Sequence, residues 1–117
     1  MLKSRTEELK VISDFYDFML WLVQHVQKFP RQHRYSLGIS IEERMQLILS
    51  HLIKAKYAAN VTNNLNEANV ELEILRFQLR MAKDLRIMAL KSHGFAAKQL
   101  VGIGSQIGGW IRQGQSK

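Results

Sequence analysis

The 117-residue chain has no cysteine, one proline and, after Asp84, no acidic residue. Each absence excludes something. Without cysteine there can be no disulfide framework, no thiolate metal site and no cysteine nucleophile, which fits a reducing compartment. With Pro30 the single proline, and four of the seven glycines gathered between Gly102 and Gly109, most of the chain lacks helix breakers. The first ten residues, MLKSRTEELK, contain no apolar stretch of the signal-peptide kind. The longest apolar patch, Phe18 to Val23, falls far short of the roughly 18 residues a membrane span requires. These absences predict a cytosolic protein with no membrane association.

What is present is charge of one sign. Seventeen Lys and Arg against ten Asp and Glu give a net charge of +7. Arg86, Lys91, Lys98, Arg112 and Lys117 follow the last acidic residue. A field of this kind attracts polyanions, of which nucleic acid is the commonest in a cell. Apolar residues make up 46% and charged residues 23%, values that suit one globular domain with a modest core over residues 1–117.

Apolar spacing predicts four helices. In the first, about Ser4 to Lys28, Leu9, Ile12, Tyr16, Met19, Val23 and Val26 form one line. Val11, Phe15, Phe18, Leu22 and Phe29 form another beside it. Two stripes exceed what one face of a small bundle needs, so this helix is either central or meets another subunit. Phe29-Pro30 ends it, because proline disfavours the α conformation of the residue before it. Arg31 to Tyr35 then reads as a basic connection. A second helix starts at Ser36 or Ser40, where Ser40-Ile41-Glu42-Glu43 has capping-box spacing. Its core positions are Ile41, Met45, Ile48, Leu49, Leu52, Ala55 and Ala59.

Asn63-Asn64 reads as a turn, and a third helix as about Leu65 to Lys91. Leu65, Ala68, Leu72, Leu75, Leu79, Ala82 and Leu90 make one line on it; Val70, Ile74, Phe77, Met81, Leu85 and Met88 make a second. Ser92-His93-Gly94 breaks the pattern before a fourth helix, about Phe95 to Gln113, with Leu100, Ile103, Ile107, Trp110 and Ile111 inward. No segment alternates as a strand does. The predicted fold is all-α, an antiparallel up-down four-helix bundle.

Arg76, Arg80 and Lys83, at i, i+4 and i+7, project from one face of the third helix, with Arg86 close by. Crowded like charges destabilise a helix by a few tenths of a kcal/mol per pair, and a shared anion relieves them. The alternative is a solvated face with Glu73 paired to Arg76 or Arg80. Arg31 and Arg34, beside Tyr35, form a second cationic candidate able to grip phosphate and stack on a base; the alternative is a turn whose Phe29 and Tyr35 staple two helices together. Gly102, Gly104, Gly108 and Gly109 lack the preceding strand a phosphate cradle needs, so their spacing predicts tight helix packing. His25, His33, His51 and His93 share no i, i+4 pair and predict no metal site. Asp14, Asp17 and Asp84 read as partners for arginines, not as acid–base groups. No cofactor, small-molecule substrate or catalytic constellation is predicted.

Several ordered motifs resemble a known family. Tyr16-Asp17-x-x-Leu20-Trp21-Leu22, His25-Val26-x-Lys28-Phe29-Pro30-Arg31 and Tyr35-x-Leu37-Gly38-x-x-Ile41-Glu42 are similar to the accessory variability protein of diversity-generating retroelements. So are Leu75-Arg76-Phe77-x-Leu79-Arg80-x-Ala82-x-Asp84-Leu85 and Ile103-Gly104-x-x-Ile107-Gly108-Gly109-Trp110. Proteins encoded within ribosomal RNA intervening sequences share the bundle and some of these signatures. The resemblance implies a barrel-shaped homopentamer of four-helix bundles, basic on its surface and in its central channel. It also implies partnership with a reverse transcriptase and its template RNA in making mutagenised complementary DNA, without polymerase activity of its own. The family's basic third-helix positions fall on Arg76 and Arg80. Lys83, Arg86, Arg31 and Arg34 follow by charge and proximity. Gln106 departs from the pattern, standing where a basic residue is expected.

Overall fold

The computed structural model describes the backbone of residues 2–115 and the side chains of residues 10–114. Leu9 and Lys117, expected in the core line and in the basic tail, have side chains outside the described residues. Helix α1 spans Leu2–Val26; α2, a single turn, spans Arg31–His33 and runs through a π-helical turn, Arg34–Gly38, into α3, Ile39–Tyr57. Helices α4, Thr62–Asp84, and α5, Leu90–Gln115, complete the chain. Among the described residues there is no strand, and no helix is long and apolar enough to cross a membrane.

The four long helices form an antiparallel bundle. Trp21 meets Phe95 with ring centroids 4.7 Å apart, and Gln106 Nε2 donates to Asp14 Oδ2 at 2.9 Å, so α1 and α5 run oppositely. Gln78 Nε2 donates to Ser40 Oγ at 2.8 Å while His51 Nε2 lies 3.5 Å from Glu67 Oε2, which sets α3 against α4 in the same way. The main neighbours of α1 are α3 and α5, and these are also the neighbours of α4. Helices α1 and α4 therefore occupy diagonal corners of a rod measuring 47 × 23 × 19 Å.

The core assigns a role to each apolar line. On α1 the Val11, Phe15, Phe18, Leu22 line is buried and Phe29 closes its end, joined by Val26 from the neighbouring line. Ile12, Met19 and Val23 are half-buried and Tyr16 is exposed. On α4 the Leu65, Ala68, Leu72, Leu75, Leu79, Ala82 line is buried, whereas Val70, Ile74, Phe77, Met81 and Leu85 are exposed on the opposite side. Leu90 is also a correction: it is 76% exposed, while Met88 from the other line is buried. On α3, Ile41, Met45, Ile48, Leu52 and Ala55 are buried as expected and Leu49 is half-buried, while Ala59 lies beyond the helix end and is exposed. Between α3 and α4, Arg44 pairs with Glu71 and its Nε donates to Gln78 Oε1 at 3.1 Å.

Three boundaries differ from expectation. The basic segment Arg31 to Tyr35 is helical, not a loop: the amides of His33 and Arg34 both donate to the Pro30 carbonyl at 2.9 Å. Pro30, which has no N–H to satisfy, starts this helix as well as stopping α1. Ser40 lies inside a helix already under way, so it caps nothing and accepts from Gln78 instead. Gly38 is buried under Val26, where a methyl would stand 2.9 Å from Val26 Cγ1.

Asn63 and Asn64 lie within the first turn of α4, because the turn comes earlier. Ala58 is extended, and Asn60 Oδ1 accepts from the Thr62 amide at 3.0 Å, satisfying one free donor at the helix start. Helix α4 ends at Asp84, and Ser92-His93-Gly94 sits inside α5. The late glycines do not all pack tightly. A methyl at Gly102 meets nothing within 4 Å, and Gly108 and Gly109 face only Arg112. Gly104 gives its space to the Arg76 guanidinium, and the close approach falls at Gly114, where a methyl would stand 2.6 Å from Val61 Cγ2.

Candidate nucleic-acid interface

The antiparallel pairing of α4 and α5 leaves an outer groove of about 350 Å³ between them. From α4 it is lined by Arg76, Phe77, Arg80 and Lys83, and from α5 by His93 and Val101. The 3–4 spacing of the arginine line places three of the expected cations along one wall. The opposite wall was not expected from the sequence. Its signal is the spacing of His93, Ala97, Leu100 and Val101, one face of α5, but that face gains meaning only once its partner helix is known.

Each cation is held differently. Arg76 reaches across the interface, its Nη2 donating to the Leu100 carbonyl at 3.1 Å over the gap at Gly104, while Nη1 lies 3.4 Å from Glu73 Oε1. It therefore positions α5 as well as contributing charge. Arg80 Nε lies 3.9 Å from Asp84 Oδ2 and Lys83 Nζ 3.8 Å from Asp84 Oδ1. One carboxylate is thus shared by two cations, and exposed pairs at such distances contribute little energy. Both cations remain available to a stronger anion. Partial burial and the nearby Lys83 lower the pKa of His93, with Asp84 opposing.

Arg86 follows directly. The amide of Arg86 donates to Lys83 O at 2.9 Å and that of Ile87 to Ala82 O at 3.0 Å, a Schellman closure of α4. Its φ is 61°, the left-handed conformation that this motif normally assigns to glycine. An exposed arginine in that position carries backbone strain of about 1 kcal/mol. Arg86→Gly is expected to raise unfolding stability by about that amount in a denaturant titration and to weaken nucleic-acid binding. Stabilisation with binding unchanged would remove Arg86 from the interface.

Arg31 is exposed on α2, and Arg34 lies over the Tyr35 ring, 5.0 Å from its centroid, donating to Tyr35 Oη at 3.3 Å. These two do not line the groove. They stand at the same end of the bundle as Lys83 and Arg86, since the α1–α3 and α4–α5 connections share that end. The histidines are dispersed: His25 Nδ1 donates to the Trp21 carbonyl at 2.9 Å, His51 is buried, and His33 and His93 lie elsewhere. Among the described residues no three His, Asp or Glu side chains gather. Asp14 bonds to Lys10 Nζ at 2.8 Å and to Gln106, not to an arginine, and these contacts lower its pKa. Gln106 thus fastens α5 to α1.

An antiparallel four-helix bundle with cations along one interhelical groove defines a basic, all-helical protein. Its sequence matches the model of the bAvd-like family over residues 9–114, and the chain belongs to that family, the bacterial accessory variability proteins of diversity-generating retroelements. No curated protein and no solved structure matches it.

Proposed function

We propose that this chain is a non-catalytic, nucleic-acid-binding accessory subunit that works with the reverse transcriptase and template RNA of a diversity-generating retroelement. In this reading the single domain, residues 1–117, assembles as a cytoplasmic homopentamer through the apolar lines left exposed on α1 and α4. Arg76, Arg80 and Lys83, with Arg86, Arg31 and Arg34 at the same end, neutralise phosphates. The observation that carries the reading is the convergence of Arg76, Arg80 and Lys83 on one groove in a member of this family. No base-reading motif accompanies them, so recognition is by shape and charge, and sequence choice falls to the polymerase or to RNA structure.

A filter-binding titration of structured RNA across salt concentrations tests this. Affinity is expected to fall steeply with salt, as counterions are released. Arg80→Ala/Lys83→Ala removes two phosphate contacts without touching the Arg76–Leu100 bond, and should flatten the log–log slope by about 1.4 for single-stranded sites. Arg76→Ala/Arg80→Ala should weaken binding likewise. Unchanged affinity and slope in both would leave the second reading. That reading is a structural bundle of the ribosomal intervening-sequence kind, for which the exposed Val70, Ile74, Phe77, Met81 line on α4 speaks.

A further inference from the structure

The α4/α5 groove is chemically polarised along its length. Because the helices are antiparallel, Glu73, Arg76 and Phe77 face Leu100 and Val101 at one end, and Arg80 and Lys83 face Ala97 and His93 at the other. Glu73 to Lys83 covers about 15 Å of helix. One end therefore holds two cations and an imidazole. The other holds a benzyl ring 60% exposed and a valine 65% exposed, above a floor of Leu100, with the paired Arg76 and Glu73 at its margin.

A surface built only to attract a duplex has no use for the second half. Duplex nucleic acid presents phosphates and sugars while its bases stay stacked on one another. An exposed aromatic ring beside cations matches instead the arrangement that holds single strands, in which bases stack on aromatic side chains and phosphates track a positive groove. Glu73 offsets the charge of Arg76 at the apolar end, 3.4 Å from its Nη1, and its carboxylate can accept a hydrogen bond from a base N–H group. The volume lies near the lower limit for small-ligand sites, about 300–1,000 Å³, a scale that suits one unit and not a helix.

We infer that the α4/α5 groove seats a single unpaired nucleotide of a single-stranded nucleic acid, its base against Phe77 and Val101 and its phosphate on Arg80, Lys83 and His93. This rests on the nucleic-acid reading above and adds to it a preference for unpaired strands. Phe77 is the base platform and borders the exposed apolar line of α4, so its replacement must keep apolar surface there. Phe77→Leu does this: it retains a hydrophobic side chain for any neighbour while removing the π-face, and at an exposed position it leaves the fold intact.

Fluorescence anisotropy on the full chain, with a short single-stranded uridine oligomer, an abasic strand of equal length and a blunt duplex, tests the assignment. The uridine strand is expected to bind about tenfold more tightly than either of the others. Phe77→Leu should weaken uridine binding about tenfold with an unchanged salt slope, leave the abasic strand unaffected, and be rescued by Phe77→Trp. Equal binding of uridine and abasic strands, still lost in Arg80→Ala/Lys83→Ala, would overturn the nucleotide seat and leave the phosphate-binding reading in place. Tighter binding of duplex than of single strand would overturn it too. Salt-insensitive binding, or none, by all three ligands would overturn both.

Discussion

Phe15→Ala is expected to lower unfolding stability by about 3–5 kcal/mol, the range for a buried phenylalanine whose cavity the surroundings cannot fill. Phe15 is fully buried and contacts Phe18 at a centroid distance of 6.2 Å in a tilted arrangement. Its helix has α3 and α5 as main neighbours, so the line from Val11 to Val26 is what anchors α1 in the bundle. Those neighbours are themselves held elsewhere, α5 by Arg76 at Leu100 and α3 by the Arg44–Glu71–Gln78 network, and cannot move inward to collapse the void. Against a typical total of about 5–15 kcal/mol, the loss is a large fraction. At about 4 °C per kcal/mol for this size, the melting temperature should fall by about 12–20 °C. Thermal denaturation followed by circular dichroism reads it, and a loss under about 1 kcal/mol would mean that this line is not the buried one.

That the Phe15 line needs such a test follows from what periodicity can and cannot say. Spacing finds both apolar lines on α1 and both on α4, since each recurs every three or four residues. It does not say which turns inward. On α4 the buried line is made of leucines and alanines, which fit between α3 and α5, while the larger Phe77 and Met81 remain outside. The number of helices and their antiparallel order were legible because only Pro30 and a few polar turns interrupt the pattern. The boundaries were not. Ser40-x-x-Glu43 has the spacing of a cap, but a helix nucleated at Pro30 has already passed through it. Helix α4 stops at a Schellman turn whose left-handed residue is Arg86, where glycine would have marked the end. The cationic wall of the groove could be read from the i, i+4, i+7 spacing of Arg76, Arg80 and Lys83. The wall bearing His93 and Val101 depends on the pairing of α4 with α5, which brings Arg76 to Leu100 across 24 residues. The role of Gly104 in admitting Arg76 depends on the same pairing.

Ile74→Lys/Met81→Lys is expected to dissociate the proposed assembly without unfolding the protomer. Val70, Ile74, Met81 and Leu85 form an exposed line opposite the buried face of α4, with Phe77 at its groove-side edge, and contiguous apolar surface of this kind marks an interface. On the diagonal corner, α1 carries a second line in exposed Tyr16 and Leu20 with half-buried Ile12, Met19 and Val23. A cyclic ring is joined head to tail, so each protomer must offer two different patches. Diagonal α1 and α4 meet that requirement in a way that two adjacent faces would not. Ile74 and Met81 are 38% and 52% exposed. Burying what remains, at about 1.5–3 kcal/mol for a whole side chain, gives about 1–3 kcal/mol per interface, so the dissociation constant should rise about 10- to 10²-fold. Leu20→Lys on α1 should act in the same direction. Sedimentation or light scattering would show a protomer mass, with helicity and melting behaviour retained because none of the three residues enters the core. An unchanged particle mass in the α4 variant would remove that face from the assembly. Nucleic-acid binding should follow the mass. Several grooves on one particle multiply phosphate contacts and act at a high effective concentration, so the dissociated variant should bind long RNA more weakly and with a shallower salt slope, although Arg76, Arg80 and Lys83 are untouched.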